Sequence, residues 1–122
     1  MSFAFETTLA TRSLAPRLRN LLASSYDVHI VFLWLPSADF AVERVAERVR
    51  AGGHDIPGET VRRRYDAGLR NFFRLYEPLA SSWRFYDSSS PELRLIAARF
   101  ASQLRQVYDQ ETWHIVTRQG KA

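Results

Sequence analysis

Residues 28–35 read VHIVFLWL, and Pro36 closes the run. Eight nearly continuous apolar positions, rich in β-branched and aromatic side chains and ended by proline, describe a strand. A strand with so little alternation is expected to be buried on both faces, as in a parallel sheet flanked by helices. That expectation sets the fold class as α/β. Upstream, FAFETT at 3–8 alternates like a short strand, and Leu14, Leu18, Leu21 and Leu22 fall at helical spacing. Downstream, Ser37 caps a helix running through Phe40, Val42, Val45, Ala46 and Val49, which the glycine pair at 52 and 53 ends. Pro57 suits the first turn of a second helix, whose apolar positions Val61, Tyr65, Leu69, Phe72, Phe73 and Tyr76 carry it to about Pro78. WRFY at 83–86 predicts another short strand, and 87–91 a polar turn. Residues 93–108 fit either a helix or two strands broken near Ser102; the hairpin is preferred. A short helix over 109–118 closes the chain, with Trp113 packed on the body.

The chain of 122 residues, 46% of them hydrophobic, suits one domain over 1–122 with a real core. No apolar run approaches the roughly 20 residues that span a bilayer, and the N-terminus lacks a secretory signal, so a cytoplasmic protein without membrane contact is expected. Without cysteine there is no thiolate chemistry, and His29, His54 and His114 are too scattered to read as a metal set.

Charge is concentrated. The segment RVAERVRAGGHDIPGETVRRRYDAGLRNFFR, residues 44–74, holds eight arginines against four acids, a surplus equal to the net charge of +4 of the whole chain. Arginine supplies sixteen of the seventeen basic residues, and its planar fork binds phosphate or carboxylate bidentately. The segment therefore points to a polyanionic ligand. Arg62, Arg63 and Arg64 are consecutive and fan over different helix faces, so at most two converge on one ligand. The aromatics of the segment fall on the inner helix face, which argues against nucleic acid stacking there.

Three further features carry possible chemistry. Gly53 to Thr60, GHDIPGET, has the glycine spacing of a phosphate loop, but Glu59 stands where a lysine is required and Pro57 removes a cradling amide; it reads as a helix stop followed by a helix start. Glu6, at the end of the first strand beside Thr7 and Thr8, lies where α/β sheets bind ligands, as does Asp87 with a weaker claim. The alternative for Glu6 is a solvated residue before a helix cap. His54 is placed to orient the loop between the two arginine-bearing helices or to touch a phosphate, or is polar surface.

FAFETTL at 3–9, VHIVFLWLPS at 28–37, RVAERVRAGGHDIP at 44–57, RRRYDAGLRNFFRLY at 62–76, WRFYD at 83–87 and VYDQETW at 107–113, in that order, resemble the zeta-toxin family of P-loop kinases, in particular its zeta toxin or predicted ABC-type ATPase branch. The resemblance implies a P-loop kinase-like three-layer α/β/α fold with a mostly parallel sheet. It implies ATP and Mg²⁺ as cofactors, phosphoryl transfer to a UDP-N-acetylated amino sugar or related small molecule, and a partner antitoxin. Glu6 matches the family's substrate glutamate and Thr8 the threonine of the same element. Arg48, Arg64 and Arg70 fall in the region of the lid arginines that reach the phosphates. The family's first strand, its Walker A loop with lysine and serine or threonine, and its aspartate base have no counterpart here, as though the chain began near the second half of the domain. It is expected to be inactive alone, to depend on a missing N-terminal half, and to form homodimers through an exposed sheet edge. The alternative is a non-enzymatic anion-binding or protein-interaction module that uses segment 44–74.

Overall fold

The computed structural model describes residues 2–5, 9 and 12–121. They form a mixed α/β fold. A five-stranded sheet has the order β1 (Ser2–Phe5), β2 (Asp27–Trp34), β3 (Ser82–Asp87), β4 (Arg94–Arg99) and β5 (Gln106–Val107), so each strand lies beside its successor in the chain. The first two pairings are parallel, joined by α1 (Leu14–Ala23) and by a longer helical crossover; the last two are antiparallel. The expected strand at 3–8 is thus β1, while positions 6–8 lie outside the described residues. The hairpin preferred for 93–108 is present as β4 and β5, and it makes the sheet mixed where a mostly parallel one was expected. A local irregularity at Phe85 and Tyr86 shifts the β3–β4 register, as a bulge does.

The crossover from β2 to β3 contains α2 (Ala38–Arg50), α3 (Gly58–Asn71), a π-helical segment (Phe72–Tyr76) and one turn, α4 (Glu77–Leu79). Ser37 caps α2 as expected, its hydroxyl accepting from the Phe40 amide at 3.1 Å. At the other end Gly52 adopts φ +100°, and the Gly53 amide reaches the Arg48 carbonyl at 2.8 Å while the Gly52 amide reaches Val49 at 3.0 Å. This is the paired bonding of a helix stop that needs a left-handed residue. Pro57 then precedes the first residue of α3. The wider π turn brings Phe72, Phe73 and Tyr76 all into the core. Asp109 caps α5 (Gln110–Lys121), accepting from the Thr112 amide at 3.1 Å and the Thr112 hydroxyl at 2.7 Å.

The core is one cluster on one face of the sheet. Val28, Ile30, Phe32 and Trp34 of β2 and Trp83 and Phe85 of β3 meet Leu18 of α1, Leu69 and Phe72 of the crossover, and Trp113 and Val116 of α5. The Phe32 and Phe85 rings stack at 4.8 Å, and Trp113 lies nearly parallel to Trp83 at 5.7 Å, as its expected packing on the body required. Along β2 the intervening side chains turn the other way: Val31 is 42% and Leu33 44% exposed. The expectation that 28–35 is buried on both faces, and with it a three-layer α/β/α arrangement, is therefore corrected. Among the described residues the helices cover one sheet face, and strict alternation of side-chain direction leaves the other open.

Candidate functional site

β2 and β3 run parallel, so their carboxyl ends open at the same edge of the sheet, the usual ligand edge of α/β proteins. A cleft of about 820 Å³ lies there, between α2 and the β3–β4 turn at 89–91. Ser88 anchors that turn to the end of β2, its amide 2.8 Å and its hydroxyl 3.0 Å from the Trp34 carbonyl. Asp87, buried at the end of β3, accepts from the Ser89 amide at 2.9 Å and from Arg94 at 3.0 Å. Arg94 also pairs with Asp109, so one guanidinium joins the strand end to the cap of α5. Hydrogen bonds from Thr112, backbone first, and the Arg94 contact hold the Asp109 carboxyl below the usual aspartate range. Asp87 thus serves as a structural anchor, occupied by protein donors.

A second set of contacts fixes the base of α2. The Tyr65 hydroxyl donates to the Leu35 carbonyl at 2.6 Å. Gln119 of α5 accepts from Trp34 Nε1 at 3.1 Å and donates to the Pro36 carbonyl at 3.1 Å. Burial pushes the Tyr65 phenol up to about 12. The segment that leaves β2 is therefore held by α3 and α5 together. Above this base α2 has no buried residue at all; it packs on α3 through one stripe, and Asp39 meets Arg62 at 2.5 Å.

Arg44 is the arginine that enters the cleft. It donates to the carbonyls of Ser88 at 3.2 Å and Ser89 at 3.5 Å, and its guanidinium lies 5.4 Å from the Phe40 ring centre. Arg44 stood in the arginine segment without being singled out; its spacing of four from Arg48, one turn along the same face, was the available signal. Arg48 is exposed one turn beyond it. Arg64 and Arg70 are exposed on α3, six residues and so about 120° apart around the helix axis. His54 is exposed in the loop between the helices. Arg48, Arg64, Arg70 and His54 line neither this cleft nor the groove along α5, and among the described residues no carboxylate pairs with the three arginines. The structure thus places these arginines on two helices of one hairpin without bringing them to a common point. Glu6 and Thr8 lie outside the described residues.

The cleft does not suit the triphosphate of ATP. Asp39, Glu43 and Glu47 line it against Arg44, so three carboxylates face one guanidinium where a triphosphate would need the reverse. GHDIPGET forms a helix stop and a helix start between α2 and α3, with no strand leading into it. Among the described residues no group of three or more His, Cys, Asp or Glu is placed to hold a metal ion, and no helix is long and apolar enough to cross a membrane.

Comparison with known proteins adds one relative. An uncharacterized protein of Haemophilus influenzae is 28% identical over 65 residues, which is 53% of this chain and 46% of the relative. The match thus spans less than half the relative's length. No family model matches the chain, and no solved structure does.

Proposed function

We propose that this chain is the lid and substrate-side portion of an ATP-dependent phosphoryl-transfer domain of the zeta-toxin kind, acting on a UDP-amino sugar or related small molecule and inactive alone. The observation that carries this reading is the α2–α3 hairpin. It leaves the carboxyl end of β2, α2 has no buried residue, Arg44 lines the cleft at the ligand edge of the sheet, and Arg48, Arg64 and Arg70 are exposed. A helix without a buried residue, held by α3 and by the Arg44 contacts to the β3–β4 turn, can move when those contacts break, and exposed guanidinium groups are available to a transferring phosphoryl group when it closes. In this reading Arg44 ties the hairpin to the β3–β4 turn, Arg48, Arg64 and Arg70 supply positive charge, and Glu6 and Thr8 contact substrate. The residues that would hold ATP and Mg²⁺ in this reading are not among those that line the cleft. β1 ends the sheet among the described strands, which supports pairing at that edge with another polypeptide, an antitoxin or a second copy.

Purified protein is expected to bind a UDP-N-acetylated amino sugar, with binding lost in Glu6→Gln and weakened in Arg48→Ala, and to show no ATP turnover. Turnover abolished by Arg64→Ala or Arg70→Ala would overturn the claim that the chain is inactive alone. A second reading, a non-enzymatic module for an acidic partner, is favoured by Arg63 and Arg70. Seven residues apart, they share the outer flank of α3, both exposed. RNA or acidic-peptide binding that falls steeply between two salt concentrations, without sugar-nucleotide binding, would select this second reading.

A further inference from the structure

A groove of about 480 Å³ runs between β5 and the outer face of α5, away from the hairpin. Gln110, His114, Thr117, Arg118 and Lys121 recur along one stripe of α5, and Arg105 faces them from the β4–β5 side. Every one of these side chains is a hydrogen-bond donor, and three carry fixed positive charge. Among the described residues no carboxylate lines the groove. Glu77 lies 4.0 Å from Arg105 and also acts on Lys121, whose amine lies 5.2 Å from the Phe73 ring centre, so one carboxylate outside the lining stands against the three cations; Glu111 of the same helix is not among the lining residues. The floor is apolar, made of Val107 and the Trp113 ring, over which the Arg105 guanidinium lies 5.4 Å from the ring centre. The contrast with the cleft beside α2, where three carboxylates oppose one arginine, makes this the better anion site of the two.

We propose that this groove binds a linear polyphosphate group, two or three phosphates long. From His114 to Lys121 the helix rises about 10 Å, too far for one phosphate to bridge and suited to a short chain of them. Arg118 and Lys121 would hold it from the helix, Arg105 from across the groove, and Thr117 and Gln110 would donate to its remaining oxygens. The site shares no residue with the hairpin, so it stands or falls separately from the lid.

Calorimetric titration of the whole chain with inorganic triphosphate, orthophosphate and ATP tests this. Triphosphate is expected to bind at least about tenfold more tightly than orthophosphate and to change tryptophan fluorescence, because Arg105 lies over Trp113. The double variant Arg118→Gln, Lys121→Gln is expected to lose about tenfold or more in affinity, while Lys121→Gln in thermal unfolding reads separately the small loss of its contact with the Phe73 ring. Arg64→Gln with Arg70→Gln is expected to leave it unaltered. ATP binding more tightly than triphosphate assigns the groove to a nucleotide, and equal affinities to the phosphate chain itself; either supports the site. Triphosphate binding no tighter than orthophosphate, binding unchanged in the α5 variant, or binding lost in the α3 variant would overturn it.

Discussion

α2 and α3 are two arginine-bearing amphipathic helices of nearly equal length joined by a seven-residue loop, 51–57, yet their apolar stripes meet different fates. α3 buries Val61, Gly68, Leu69 and Asn71 and runs on into Phe72, Phe73 and Tyr76 at the centre of the core. α2 offers Val42, Val45, Ala46 and Val49 to α3 and buries none of its residues. An amphipathic pattern therefore tells which side of a helix turns inward and not how much meets it there. α3 belongs to the structural body, and α2 is an appendage whose position is set by a cap, the Arg62–Asp39 pair and the Arg44 contacts to the β3–β4 turn.

The largest effect that can break this contrast comes from matched truncations. Phe72→Ala removes a ring with no exposed surface and is expected to cost about 3–5 kcal/mol. Phe40→Ala on α2, at a half-buried position, is expected to cost less than about 1 kcal/mol. Similar losses in denaturant unfolding would show that α2 is part of the body. Gly120→Ala probes the partner surface of α3. A Cβ there would meet the Phe73 ring and lie 3.2 Å from Leu69 Cγ, so a loss of about 1–3 kcal/mol is expected.

Asn71→Ala sharpens the comparison further. The Asn71 amide is buried and donates to the Leu9 carbonyl at 2.8 Å, so about 1–3 kcal/mol should be lost. Arg62→Ala, which breaks a solvent-exposed pair to α2, should change stability by less than about 1 kcal/mol and less still at high salt.

The pH dependence of stability should follow the body as well. Asp109, lowered by its Thr112 and Arg94 bonds, contributes stability that is complete above the ordinary aspartate value and is lost as pH falls through its depressed one. Glu77, raised by burial more than Arg105 lowers it, has the opposite sign: its contribution is present at low pH and fades as pH rises through the elevated value. Asp109→Asn is expected to flatten the acid limb of the stability curve, and Glu77→Gln to remove the decline on the other side. The smallest effect is dynamic. Amide hydrogens of α2 should exchange faster than those of α3, because fewer buried contacts oppose local opening.

Much of the secondary structure was legible because its signals are local. Ser37 caps α2, the glycine pair stops it and Pro57 starts α3, while at 93–108 the apolar spacing fitted a helix as well as the hairpin that forms. The open sheet face was not legible. Val31 and Leu33 are as apolar as Ile30 and Phe32, and nothing in eight consecutive apolar residues says that only every second one will meet a helix. The role of Arg44 was hidden for a similar reason, since its acceptors at 88 and 89 lie more than forty positions away. The basic stripe of α5 was concealed because Arg105 reaches it from another element, and because Arg118 and Lys121 by themselves are the ordinary complement of a helix carboxyl end.

The sequence by itself determined the order of strands and helices over most of the chain, the cap and stop of α2 and the start of α3, and that the charge surplus lies in residues 44–74, because backbone preference, capping and side-chain spacing act over a few residues. Only the tertiary structure decided that one sheet face is covered and the other open, that α2 stands off the core while its twin α3 enters it, and that carboxylates fill the cleft beside the arginine hairpin while cations gather along α5. Those outcomes depend on which surfaces meet across the chain, and burial and electrostatic potential are properties of such meetings.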